Sequence, residues 1–171
     1  MLDRVAPSAE RVDAAGLFAF LGRIAAIHRK EEVTFLCIGT DRSTGDSLGP
    51  WVGTLLEEQG FTRVIGTLKE PCDANSLPRI VSNLEGKGTI IAIDACLGRS
   101  ENIGAYLVRQ GPLIPAQSVN RGFGAVGEFS IAGVVNATSL KPYWTLQSTS
   151  LYRVMGMANE ISAAIGRMWR T

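Results

Sequence analysis

Two apolar runs fix most of what this chain can become. VTFLCI, residues 33–38, and GTIIAIDA, residues 88–95, are short and close to unbroken in their apolar character. A strand with one wet face alternates apolar and polar residues; a run without alternation is a strand covered on both faces, as in parallel sheets. Such strands need helical crossovers between them, and the intervening sequence supplies them. SLGPWVGTLLEEQG, 47–60, predicts a helix with Gly49 and Gly53 four apart for close packing on the sheet. RVIGTL, 63–68, predicts a short strand. NSLPRIVSNLEG, 75–86, predicts a second crossover helix with Asn75 as N-cap, Pro78 in the first turn and Gly86 at the C-terminal end.

The flanks follow the same logic. Residues 9–28 predict an amphipathic helix with Ser8 as N-cap and Val12, Leu17, Phe20, Leu21, Ile24 and Ile27 on one face. AYLVRQG and FSIAGVV predict two later strands. Residues 148–169 predict a closing helix, because Leu151, Val154, Ala158, Ile161, Ile165 and Met168 step by three and four. The pattern is an α/β fold of three layers: a twisted, mainly parallel sheet with helices on both faces, formed as one domain over residues 1–171.

Composition narrows the function classes. With 17 basic against 16 acidic residues the net charge is +1, which gives no general attraction to nucleic acid or to an anionic membrane. No apolar run nears the ~20 residues of a membrane span. The first residues lack the basic-then-apolar order of a signal peptide. Three cysteines suggest no disulfide framework, so a cytoplasmic protein is expected.

In a parallel sheet, ligands bind where the strands end. Asp41 and Asp46 follow the first buried strand, Glu70 the second and Asp94 the third. Asp46 also stands where an N-cap for the 47–60 helix would stand, so capping and chemistry are both open to it. Asp94 follows TIIAI directly, at a buried strand end where an unpartnered charge costs several kcal/mol. Other motifs fit less well. A phosphate loop would need a lysine where Asp46 stands. GFGAVG, 122–127, matches a dinucleotide fingerprint in letters but precedes a strand, and RGFGAVGE offers only Phe123 for stacking RNA. Cys37, Cys72 and Cys96 lack a nearby basic partner, since the single histidine, His28, is expected as a solvated residue at a helix end. No Cys/His spacing suits zinc. The KPYWTL cluster, 141–146, suits core or an interface better than a substrate wall.

The run GTDRSTGDSLGP, with EPCDANSL after the second strand and IDACLG after the third, resembles the YyaC family of sporulation proteins over most of the chain. That family is similar to the germination protease GPR and, more remotely, to HybD-like hydrogenase maturation endopeptidases. The resemblance implies a phosphorylase/hydrolase-like (HybD-like) fold and a forespore setting. It implies an aspartate-dependent peptidase in which Asp46, in GDSLGP, and Asp94, in IDA, form the catalytic pair, with Asp41, Arg42, Ser43, Thr44 and Glu70 contacting substrate. The hydrogenase proteases bind nickel through equivalent carboxylates and a histidine; no histidine stands there in this sequence, so no metal and no other cofactor is expected. The partner expected is a protein or peptide substrate, with self-association left open. The alternative is a non-catalytic protein of the same fold that uses its acidic edge for a partner or a cation.

Overall fold

The computed structural model describes residues 8–115 and 124–170. Six strands form one sheet in the order β1-β5-β6-β4-β2-β3. They are β1 Glu10–Val12, β2 Val33–Cys37, β3 Val64–Ile65, β4 Thr89–Gly98, β5 Tyr106–Arg109 and β6 Phe129–Ala137. Strands β3, β2, β4 and β6 run parallel; β5 and β1 join antiparallel at one edge. The helices are α1 Ala14–Ala25, α2 Leu48–Glu58, α3 Leu77–Leu84, α4 Pro142–Gln147 and α5 Leu151–Met168.

Strand periodicity sorts the side chains into two cores. Phe35, Cys37, Ile91 and Ile93 face α1, α2 and α5, whose Leu21, Leu56 and Ile161 are fully buried among them. Leu36, Ile38, Ile90 and Ala92 point the other way, onto Leu77 of α3 with Ile80 and Leu84 packed around. Both faces are therefore covered by helices, which is why β2 and β4 read as unbroken apolar runs. The spacing of Gly49 and Gly53 serves the contact it predicts. A Cβ at Gly49 would fall 2.2 Å from the Ile38 carbonyl oxygen, and one at Gly53 would fall 1.9 Å from that of Gly66.

Several boundaries differ from expectation. The stretch 9–28 is not one helix: residues 10–12 pair with β5, Val12 opposite Tyr106, and α1 starts behind Asp13, whose carboxylate accepts the Gly16 N–H at 2.9 Å. Asp13 thus takes the capping role expected of Ser8, and Ile27 lies beyond the helix and is exposed. The 63–68 strand shrinks to two residues. Ser76 rather than Asn75 precedes α3. Leu151, at the head of α5, is half exposed, whereas Val154, Ala158, Ile161 and Ile165 are buried. Trp169, just after α5, packs edge-on against Phe35 at 5.6 Å between ring centres and donates its Nε1–H to the His28 carbonyl at 2.9 Å. No described helix is long and apolar enough to cross a membrane.

Candidate active site

β2 ends beside the middle of β4, which runs on against β6 to Gly98, so Asp94, expected just past a strand end, lies inside the strand opposite Ala132. Cys37 is in register with Ile93, and the Ile38 N–H continues the ladder to the Ile93 carbonyl at 2.8 Å, so Ile38 lies beside Asp94. From Gly39 the chain turns out through Asp41 and Arg42, both exposed, and returns as a 3₁₀ turn, Gly45–Ser47. The return is fastened to the strand end: the Asp46 carbonyl accepts the Thr40 N–H at 3.1 Å. Asp46 is 4% exposed and Asp94 6%, so the two carboxylates are the buried acids of this edge. Ser47, and not Asp46, occupies the N-cap position of α2; its hydroxyl turns back to the Thr44 carbonyl at 2.6 Å. The Asp46 turn packs against β4, α5 and α4, and Leu146 of α4 closes directly over Gly45.

Asp94 stands in phase with Ile90 and Ala92, on the α3 side of β4. One carboxylate oxygen accepts the Ala95 N–H at 2.8 Å. Two thiols share its surroundings. Cys72 reaches it because residue 72 bridges to Ile38 and its carbonyl accepts the Gly39 N–H at 3.0 Å. Burial pushes the Cys72 thiol up to about 12, aided by the nearby negative charges of Asp73 and Asp94 and only partly offset by Ser76. Burial, then Asp94, pushes Cys96 up to about 12 as well. Both sulfurs therefore stay protonated, and a thiolate nucleophile has no place here. In mildly alkaline buffer the folded protein should react slowly with an aromatic disulfide reagent at Cys72 and Cys96, and all three cysteines should react at once in denaturant. Fast labelling of Cys96 in the folded state would contradict this picture.

The remaining candidates lie on the loops after β2 and β3. Arg42 is exposed and faces Asp73 at 4.0 Å. The Ser43 hydroxyl oxygen is buried with no hydrogen-bond partner among the described residues. Thr44 is half-buried in the turn. Glu70 is exposed in the turn after β3, closed by the Thr67 N–H on the Glu70 carbonyl at 3.0 Å, and lies on a groove beside that strand. Tyr143 and Trp144 of α4 are 65% and 69% exposed, so only Leu146 of the KPYWTL cluster is core. GFGAVG, 122–127, and Phe123 with it, fall partly outside the described residues.

Asp73 was not expected at this site, although D-A-N-S ahead of a helix is the signature of a side chain that folds back on its own backbone. Its carboxylate accepts the Asn75 and Ser76 N–H groups, each at 3.0 Å. Partial burial pushes the Asp73 carboxyl up, but these bonds, the Ser76 hydroxyl and the Arg42 charge outweigh it and hold the carboxyl below its ordinary value. A carboxyl lowered in the folded state stabilises above its unfolded value, about pH 4, and loses that contribution as pH falls through the folded value. Acid unfolding of Asp73→Asn should accordingly show a shallower pH dependence below about pH 4 than wild type. Parallel curves would remove Asp73 from the acid response.

Among the described residues no three His, Cys, Asp or Glu side chains come together as cation ligands. His28 is half-buried at the opposite end of the sheet, its Nδ1 3.2 Å from the Thr89 hydroxyl and its ring against Phe129. It is thus a packed residue, not the solvated helix end expected.

This arrangement of sheet, helices and strand-end loops is the HybD-like α/β fold. The [NiFe] hydrogenase maturation protease HycI from Thermococcus kodakarensis KOD1 superposes with a TM-score of 0.54 at 13% identity, over 82% of this chain and 94% of that one. At the level of sequence the match is closer. The family model described as "Protein of unknown function (DUF1256)" covers residues 9–164, and the chain belongs to that family. It is 37% identical to the "Uncharacterized protein YyaC" of Bacillus subtilis (strain 168), over 99% of this chain and 86% of that protein.

Proposed function

We propose that this protein is an aspartate-dependent peptidase of the sporulation and germination system, acting in the forespore cytoplasm, with Asp46 and Asp94 as its catalytic pair. The observation that carries the reading is the burial of two carboxylates near the C-terminal end of β2, Asp94 on the neighbouring strand β4 and Asp46 in the turn bonded back to Thr40, on the side of the sheet where a fold of this kind keeps its ligands. Two acids in one poorly hydrated site do not both ionise cheaply, so the pair holds one proton between them. The ionised member takes a proton from water as its oxygen attacks the peptide carbonyl carbon. The protonated member donates to the carbonyl oxygen, and the resulting tetrahedral species expels the amine as that nitrogen gains a proton.

The surrounding groups then have roles in holding the chain to be cut. The Ser43 hydroxyl, buried without a partner among the described residues, supports a bond to substrate or to the attacking water. Arg42 and Asp41, exposed on the same loop, and Thr44 and Glu70 suit contacts to substrate backbone. Tyr143 and Trp144 offer an apolar wall on α4, whose Leu146 packs on the Asp46 turn. The test is to incubate spore-extract proteins with wild type beside Asp46→Asn and search by mass spectrometry for new chain termini. Termini that appear with wild type alone support the reading. Identical spectra across a range of pH would refute it and favour a binding protein.

A further inference from the structure

The outer edge of β3 is open among the described residues, and its geometry selects a particular guest. β3 is the last strand of the sheet and pairs only with β2. In a parallel ladder alternate residues turn their backbone groups to the partner strand. The Arg63 carbonyl accepts the Phe35 N–H at 2.9 Å, which places Arg63 and Ile65 in the phase that faces β2. Val64, between them, therefore turns its N–H and C=O outward. Beside this edge runs a groove of about 500 Å³, with Val64 and Gly66 on the strand side, Glu57 of α2 on one wall, and Glu70, Arg79 and Ile80 on the others. Proteins usually cover a bare edge or blunt it with charge, because it is a template for another strand. Here the charges stand on the walls and the edge is left at the floor.

We infer that this groove takes an extended segment of the substrate polypeptide as an added strand on β3. The identity of the guest rests on the peptidase reading; the strand addition rests on the edge itself. A walled groove admits one extended chain but not the flat edge of a second folded sheet. Carboxylates and a guanidinium occur together on its walls, so they impose no single charge on the guest, and main-chain bonding dominates. Glu70, named above among the residues suited to hold substrate, lines this groove, and Ser76 on its wall donates its N–H to Asp73, which faces Arg42 of the loop that carries Asp46. The substrate class that follows is a chain segment already unfolded before cleavage, chosen for its extended backbone more than for its side chains.

The test uses the full chain carrying Asp46→Asn, so that no peptide is consumed, and a pool of fluorescein-labelled peptides of about ten residues without stable structure, long enough to span the groove as a strand. An added strand uses only alternate amides. N-methylating one alternate set should weaken binding by about tenfold or more, the equivalent of a lost hydrogen bond, while methylating the other set should leave it unchanged. Val64→Pro should weaken binding similarly, since it deletes an outward N–H and no bond to β2; Val64→Thr should not. Equal effects of both methylation registers, unchanged binding by Val64→Pro when that variant is folded, or no binding by any peptide would each overturn the inference. So would a dimer in sedimentation that Val64→Pro dissociates, which would make the edge a self-association surface. Register-specific binding with no cleavage by wild type would instead refute the peptidase reading and leave the strand addition standing.

Discussion

Replacing Asp46 by asparagine should lower peptide turnover by about a thousandfold or more, the scale on which general acid–base groups contribute, and leave the melting temperature nearly unchanged. The amide has almost the shape of the carboxylate but cannot take a proton from water. Folding should tolerate the change because Ser47, not Asp46, stands at the N-cap of α2, and because an amide costs less to bury than an ionised carboxylate. Asp94→Asn should behave in the same way. The double variant should be scarcely worse than either single one, since groups that act as a unit are lost together. The measurement is initial rate against a peptide identified from new termini, with thermal unfolding alongside. Retention of more than about a tenth of the rate by either single variant would exclude a paired mechanism, whose members should each matter on the scale of general acid–base catalysis.

Gly39→Ala should be the most damaging small substitution near the site. Its φ of +149° is one that side-chain-bearing residues rarely adopt. Its Cβ would also lie 2.0 Å from the Asp46 carbonyl oxygen and 2.9 Å from Pro50 Cδ. The backbone would have to move, and the bond from the Thr40 N–H to that same oxygen ties the movement to Asp46. A cost of about 2–4 kcal/mol is expected, within the range of severe single substitutions, together with loss of activity in whatever protein remains folded. Gly60→Ala is the comparison: φ there is +83° and nothing lies within 4 Å of the new Cβ, so only the backbone preference is lost, about 1 kcal/mol. Equal melting temperatures for the two variants would show that the crowding at Gly39 relaxes and does not constrain Asp46.

The elements buried on both faces were the legible ones. VTFLCI and GTIIAIDA announce β2 and β4 because helices on either side strip them of polar positions. The periods of α2 and α5 are equally plain, since each has one face in the core. What escaped depends on partners distant in sequence. Glu10–Val12 looks like the first turn of a helix until Tyr106 is known to lie opposite Val12. RVIGTL shortens because β3 has a neighbour on one side only, and Gly66, at a φ of +92°, ends it. Asp46 was legible as an acid of the loop after β2, and Cys72 and Cys96 as loop thiols near the acidic edge, but Asp94 and Cys96 both lie inside β4, because pairing with β6 carries that strand on to Gly98. Cys72 reaches Asp94 through a single bridge to Ile38 that no local pattern encodes.

The late position of α5 in the chain has a consequence for how the protein comes into being. Its buried residues complete the core that α1 and α2 begin, it packs on the turn that carries Asp46, and Trp169 behind it binds both Phe35 and the carbonyl of His28. While the ribosome still holds residues 151–169, the earlier helices expose the apolar faces meant for α5, and the Asp46 turn lacks part of its support. Domains fold as units once their chain has emerged. The two halves of the candidate site, synthesised far earlier, therefore gain their final setting only at that stage, when the last helix has left the ribosome.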